Sequence, residues 1–209
     1  GRLYALRPDP RQLTSFYLIV SLGGALGGVF TALIAPLLFD WIYEHAMLLL
    51  AAALLIRRKS YLSVLGERWN VFARPGWVLV ALSGAFVLAI ALAIAVARGY
   101  GAAIIVLASL LILLGALLSG RRAAFTLVFL LLMLGHGGFA TLELSLEGRR
   151  ERSYFGVYSV SEARSGEMLQ LTHGTTMHGK QWQAAGRRKE PTAYYGRTAG
   201  IGMALSLAD

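Results

Sequence analysis

Residues 11–40 read RQLTSFYLIVSLGGALGGVFTALIAPLLFD, and this stretch decides the class of fold. Between Thr14 and Phe39 it contains no charged residue. A helix rises 1.5 Å per residue, so roughly 20 apolar residues are needed to cross the ~30 Å of bilayer hydrocarbon. The stretch is long enough, and it predicts a membrane-spanning helix over 14–39.

Four glycines in this stretch, Gly23, Gly24, Gly27 and Gly28, form two overlapping pairs at a spacing of four residues. Glycines at this spacing leave one helix face without side chains, so a second helix can approach the backbone closely. We predict helix packing at this face, either within one bundle or between two copies of the chain as a homo-oligomer. A substrate path lined by flexible glycines is the alternative.

Four more apolar runs follow within the first 147 residues. They cover 40–56, 76–97, a stretch from the turn at 98–101 to about Ser119, and 123–142. Hydrophobic residues make up 56% of the chain and charged residues 15%, against roughly 25% charged residues in soluble domains. The sequence therefore predicts an α-helical membrane bundle of about five spans over residues 1–147.

The basic residues are distributed as in a membrane protein. The formal net charge is +9, but the Lys and Arg residues cluster between the apolar runs. This pattern is typical of membrane topology and not of a single nucleic-acid-binding face, so the bilayer is the expected partner and nucleic acid is not. The chain has no cysteine, which excludes disulfides, thiolate nucleophiles and zinc–thiolate sites.

The Lys and Arg residues also predict which loops lie on the same side of the membrane. With five spans, the basic segment 57–74 lies on the side of Arg121 and Arg122, which is the expected cytoplasmic side. Because the segment after Gly148 follows the fifth span, it then lies on the other side of the membrane. The arginines of 149–152 instead favour the cytoplasm. The sidedness of the polar segment is left open. Asp40 and Glu44, at the start of the second run, are expected at the membrane surface, where a charge costs little. A proton or cation site inside a transporter is the alternative.

Residues 148–209 are polar and rich in glycine and aromatic residues. The stretch 153–160, SYFGVYSV, has strand composition, and 167–174, EMLQLTHG, reads as a returning strand after a polar turn. A third strand is predicted over about 176–183. The predicted fold is mixed α and β: a membrane bundle followed by a small β-hairpin or β-sheet segment, with domains 1–147 and 148–209.

Two histidines, His173 and His178, are five residues apart. On one continuous strand this odd spacing directs them to opposite faces. A shared metal site is therefore not expected, and turn and sheet-surface roles are the simpler interpretation.

Four phrases together carry a resemblance to a known family. The stretch 11–40, YFGVYSV (154–160), LTHGTTMHGKQ (171–181) and EPTAYYGR (190–197) resemble the membrane-fused spermidine synthase-like proteins. In that family a multispan membrane region precedes an aminopropyltransferase-type domain. The likeness covers the first span and most of the polar segment, while the helices between match in character only. It implies transfer of an aminopropyl group from decarboxylated S-adenosylmethionine to an amine such as a small polyamine.

The resemblance also implies binding residues. Soluble spermidine synthases have a Leu-Asp-Gly-x-x-Gln phrase and then an acidic-x-x-x-Tyr-His-Glu phrase. Gln181 corresponds to the glutamine, and Glu190, Tyr194 and Tyr195 fall at the acidic, Tyr and His positions. Gly196 stands where the family has a polyamine-side glutamate.

Other interpretations of the same segment stay open. His173 and His178 lie inside the LTHGTTMHGKQ phrase and are further candidates for substrate or cofactor binding. Tyr194 and Tyr195 are as well explained as aromatic anchors that dock the sheet on a neighbouring domain.

Neither the Gly-rich nucleotide loop nor the catalytic carboxylate of the family occurs before Asp209. We therefore expect residues 1–209 to be an inactive fragment of a longer protein of the bacterial inner (plasma) membrane, with catalytic residues unknown. The alternative is a non-catalytic transporter or membrane scaffold with a degenerate ligand-binding synthase-like domain. The replacement at Gly196 favours that alternative.

Overall fold

The computed structural model describes residues 6–55, 75–163 and 166–207, and within them the chain forms six helices and one antiparallel sheet. The helices are α1 (Pro10–Leu38), α2 (Tyr43–Leu54), α3 (Pro75–Arg98), α4 (Gly101–Leu117), α5 (Arg122–Leu146) and α6 (Gly200–Ser206). The strands are β1 (Arg150–Ser153), β2 (Gly156–Glu162), β3 (Met168–His173) and β4 (Thr176–Trp182). The predicted mixed α and β class is confirmed.

Three of the helices are long and apolar enough to cross a membrane. Helices α1, α3 and α5 have 29, 24 and 25 residues. Helices α2 and α4 are also apolar but have 12 and 17 residues, fewer than the roughly 20 that a span needs. The described residues thus contain three candidate spans, where the sequence predicted about five.

The chain divides into two compact units. One unit contains residues 1–42 and 148–209, which include α1 and the sheet, and the other contains residues 43–147, which include α2 to α5. The sequence instead predicts the first helix and the other spans in one domain, residues 1–147. The domain division at 147/148 stays a prediction.

The unit of residues 43–147 has a core of small and branched apolar side chains. Ala85, Ala89 and Leu92 lie on one face of α3, and they are buried together with Leu111 of α4 and Val128 of α5. Alanine at successive turns lets neighbouring helices approach closely. Close packing of helices by small residues therefore occurs in this unit.

A glycine in α5 makes the closest of these approaches. A Cβ atom added to Gly135 would lie 2.8 Å from the carbonyl oxygen of Ala89 and 3.3 Å from Leu92 Cδ2. Gly135 belongs to a π-helical turn, Leu134–Gly138, in which Gly137 has φ +121°. This turn kinks α5, because its backbone leaves the helical conformation there.

In the other unit, Trp41 joins the end of α1 to the first strand. The guanidinium of Arg152 donates a 2.7 Å hydrogen bond to the Trp41 carbonyl oxygen. The guanidinium carbon of Arg150 lies 4.2 Å from the centroid of the Trp41 ring, within range of a cation–π interaction. Residues 150 and 152 share one face of β1, so this face holds the sheet against the helix end.

The sheet is a meander in the order β1-β2-β3-β4. Strands β2, β3 and β4 correspond to the three predicted strands, whereas β1 was not predicted. Its sequence, RERS, has no apolar alternation, and it forms a strand by pairing along β2, with Arg150 opposite Ser159 and Ser153 opposite Gly156.

Candidate functional site

The HGTT phrase forms the turn between β3 and β4. His173 pairs with Thr176, so Gly174 and Thr175 form a two-residue loop. Gly174 has φ +58°, the sign that a type II′ turn requires at its first central position. The turn places His173 and His178 on neighbouring strands instead of one continuous strand.

The two histidines consequently lie on the same face of the sheet, and the predicted opposite-face arrangement is wrong. Their ring centroids are 5.7 Å apart. The ring of His173 also stacks on Tyr158 of β2, with centroids 4.3 Å apart and ring planes 9° from parallel. A β-bulge between Leu171 and Thr172 shifts the register beside His178.

The hydrogen bond of His173 fixes its tautomer. Its Nε2 lies 3.1 Å from the carbonyl oxygen of Phe155. A carbonyl oxygen can only accept, so Nε2 carries the proton and Nδ1 of the neutral ring is an acceptor. Gly156 makes this contact possible, because a Cβ there would overlap His173 Nε2. Within the described residues, no group of three or more His, Cys, Asp or Glu side chains is placed to hold a metal ion.

Gln181 lies on the same sheet face as the histidines. It pairs with Leu169, which is four residues before His173 on β3 and therefore on the same face. The side chain of Gln181 is exposed, and its Nε2 donates a 3.4 Å hydrogen bond to the carbonyl oxygen of Arg188. The candidate glutamine is thus accessible and is held against the loop that follows β4.

Glu190 is engaged within that loop. The Arg187 Nε atom lies 3.1 and 3.0 Å from the two carboxylate oxygens of Glu190, and Nη2 lies 3.0 Å from Oε2. The same guanidinium covers the ring of Trp182, at 3.5 Å from its centroid. The carboxylate is about half exposed, and an amine that binds it competes with Arg187.

Tyr194 and Tyr195 lie on a short 3₁₀ turn, Ala193–Tyr195. Thr192, directly before this turn, donates a short hydrogen bond from its hydroxyl to the carbonyl oxygen of Lys180. The turn is therefore fixed beside β4. Both tyrosines are exposed, at 61% and 62% of their surface, so their rings are available to a ligand or to another domain.

The candidate residues thus form two groups. Gln181, Glu190, Tyr194 and Tyr195 belong to the end of β4 and the loop that folds back along it, whereas His173 and His178 lie with Tyr158 around the β3–β4 turn.

Sequence reasoning missed the role of Gly202 in the segment that follows this loop. A Cβ at Gly202 would overlap the carbonyl oxygen of Gly196 and approach Arg197 within 2.9 Å. Gly202 of the GIG triplet (200–202) therefore allows close backbone packing at the start of α6. The close spacing of small residues in TAGIG was the available signal.

The glycine face of α1 is open in its own compact unit. A Cβ built on Gly23, Gly24, Gly27 or Gly28 would meet no atom of the described residues within 4 Å. Helix packing at this face stays a prediction.

Glu44 is buried within the protein, with 7% of its surface exposed, and its position at the membrane surface stays a prediction. It lies in the first turn of α2, where the positive end of the helix dipole favours a carboxylate. Asp40 lies in the break between α1 and α2 and is partly exposed.

No protein-family model, curated protein or solved structure matches this chain. The resemblance to the spermidine synthase-like proteins therefore depends on the sequence phrases alone and stays a prediction.

Proposed function

We propose that this chain is the membrane region and leading β-domain of a spermidine synthase-like protein. In full-length form, that protein transfers an aminopropyl group from decarboxylated S-adenosylmethionine to an amine. The observation that carries the proposal is the position of Gln181. Gln181, which corresponds in sequence to the family's glutamine, lies on an exposed sheet face near the end of β4. Glu190, Tyr194 and Tyr195 follow in the adjoining loop.

The proposed reaction forms a C–N bond and breaks a C–S bond. A primary amine loses its proton to a general base and attacks the methylene carbon beside the sulfonium, and the neutral thioether leaves. Both substrates are cationic, so aromatic faces and carboxylates are suited to hold them. We assign Tyr194 and Tyr195 to the cationic groups, the carboxylate of Glu190 to the amine, and the amide of Gln181 to polar atoms of decarboxylated S-adenosylmethionine.

We propose that all five apolar helices α1 to α5 enter the bilayer of the bacterial inner membrane. The 17 residues of α4 rise about 26 Å, which a locally thinned bilayer accommodates. Helix α2 is shorter, with 12 residues, and only residue 56 of the predicted run 40–56 lies outside the described residues, together with the basic residues of 57–74.

A five-span topology requires the loop between α2 and α3 and the loop before α5 to lie on the same side of the membrane. The residues that line one cleft support this placement. Leu54 at the end of α2, Val78 at the start of α3, and Arg121 before α5 line one cleft. The chain therefore leaves α2 and enters α3 at the end of this unit where Arg121 lies. This arrangement agrees with basic segments 57–74 and 121–122 on one side of the membrane.

The second candidate function is a non-catalytic transporter or membrane scaffold with a degenerate ligand-binding domain. The ion pair between Glu190 and Arg187 favours it, because the carboxylate proposed for the amine already has a cationic partner. Gly196 supplies no second carboxylate in its place.

An aminopropyl-transfer assay separates the two functions. Purified full-length protein in detergent is incubated with decarboxylated S-adenosylmethionine and putrescine, and the aminopropylated amine is measured by mass spectrometry. The synthase proposal predicts product with the wild type and with Gln170→Ala on the opposite sheet face, and at least tenfold less with Gln181→Ala. Absence of product from folded protein that still binds decarboxylated S-adenosylmethionine favours the non-catalytic function.

A further inference from the structure

A cleft of about 640 Å³ opens at one end of the α2–α5 unit. Its apolar walls come from Leu54 of α2, Val78 and Leu82 of α3, and Leu127 of α5. Arg121 and Arg122 line the same cleft at the start of α5. It therefore combines a wall suited to hydrocarbon with two cationic groups.

Neither arginine has its charge neutralised within the described part of the chain. No described carboxylate forms an ion pair with Arg121 or Arg122. The Nε atom of Arg122 is buried and has no hydrogen-bond partner among the described residues. Arg121 is exposed and Arg122 is partly buried. A partly buried guanidinium beside apolar side chains is costly without an anion, so Arg122 points to an anionic ligand, and Arg121 adds a second positive charge beside it.

The backbone adds to the positive potential at this place. Arg121 is the N-cap residue of α5, and its side chain makes no capping hydrogen bond. The first N–H groups of a helix have no partner within the helix, and they carry the positive end of its dipole. Helix N-termini of this kind favour phosphate groups.

We propose that this cleft binds an anionic phospholipid, with the phosphate at Arg121 and Arg122 and an acyl chain along Leu82 and Leu127. A soluble anion would satisfy the arginines but leave the apolar wall uncovered. A zwitterionic lipid would cover the wall, but its own cation offsets its phosphate, so the two arginines would lack a ligand of net negative charge. Basic pockets between helices at the cytoplasmic surface are suited to anionic headgroups, and this inference is independent of the aminopropyltransferase proposal.

The test is lipid binding by the purified full-length protein in detergent, measured by native mass spectrometry with phosphatidylglycerol and with phosphatidylcholine. We expect phosphatidylglycerol to bind selectively. Each of Arg121→Gln and Arg122→Gln should weaken that binding by about fivefold, since one basic residue near an anionic surface contributes ~1 kcal/mol. Arg98→Gln, at the other end of α3, is the matched control and should leave binding unchanged.

Three further results discriminate between the alternatives. Arg121→Lys with Arg122→Lys keeps both charges and should retain the preference for phosphatidylglycerol, which separates loss of charge from loss of folding. Equal binding of the two lipids, or an equal loss in Arg98→Gln, would overturn the proposal. Displacement of phosphatidylglycerol by equimolar glycerol phosphate would also overturn it, because the cleft would then be a soluble-anion site.

Discussion

The imidazole of His173 stacks on the phenol ring of Tyr158, with centroids 4.3 Å apart and ring planes 9° from parallel. The contact joins β3 to β2 on the sheet face that also carries Gln181. Since His173 Nε2 donates to the Phe155 carbonyl oxygen, the ring is fixed by a stacking partner and by a hydrogen bond. This face is therefore ordered by its own side chains.

The first prediction concerns the glycine beneath that ring. Gly156→Ala should destabilise the sheet by about 1–3 kcal/mol, because a Cβ there overlaps His173 Nε2 and crowding of this kind has that cost. The φ of +135° at Gly156 adds backbone strain for alanine.

Chemical denaturation followed by Trp182 fluorescence measures the effect. Gly179→Ala is the control, since a Cβ at Gly179 meets no atom within 4 Å. Equal midpoints for the two variants would contradict the role assigned to Gly156.

The second prediction concerns packing in the α2–α5 unit. Gly135→Ala should lower its stability by about 1–3 kcal/mol, because the new Cβ would lie 2.8 Å from the Ala89 carbonyl oxygen. Gly115→Ala should be tolerated, since its Cβ would make ordinary contacts at 3.6 Å or more. Thermal unfolding in detergent compares the two, and a lower midpoint for Gly115→Ala than for Gly135→Ala would contradict the packing account.

The third prediction concerns the glycines of α1. If a second copy of the chain packs on this face, Gly24→Leu with Gly28→Leu should reduce self-association at least fivefold, because leucine keeps the two backbones apart. Energy transfer between labelled copies in liposomes measures association. Ala25→Leu adds the same side chain beside these positions and should have a smaller effect. Unchanged energy transfer in the double variant would contradict the predicted homo-oligomer.

The fourth prediction tests Glu190 as the amine-binding carboxylate. Arg187→Gln releases Glu190 from its ion pair and should tighten putrescine binding about two- to fivefold, since half-exposed pairs contribute ~0.2–1 kcal/mol. Calorimetry measures the change, with Lys189→Gln as the charge-matched control. The gain should vanish when Glu190→Gln is added. A gain that persists in the double variant would show that another group binds the amine.

The sequence predicts helices and strands well where an uninterrupted stretch of residues has the hydrophobicity or composition of one type of element. The first predicted span, 14–39, is close to Pro10–Leu38, and the third, 76–97, is close to Pro75–Arg98. These helices follow from apolar runs that have few alternatives to a helix in a bilayer. The strands from SYFGVYSV and EMLQLTHG were likewise predictable from composition and a polar turn.

Features that depend on pairing across the chain were not predictable. Strand β1 has no strand pattern of its own and is set by its partner β2. The shared face of His173 and His178 depends on the Gly174 turn, which a count along one strand does not include. The close contact of Gly135 with Ala89 depends on which helix packs there, whereas a Cβ on the more conspicuous glycines of α1 would meet no atom of the described residues within 4 Å.

The most direct test of the central claim is binding of decarboxylated S-adenosylmethionine to the full-length protein in detergent, measured by calorimetry. We expect saturable binding that Gln181→Ala weakens at least tenfold and that Gln170→Ala, on the opposite sheet face, leaves unchanged. Folded wild-type protein that does not bind this compound, or binding that is indifferent to Gln181→Ala, would contradict it.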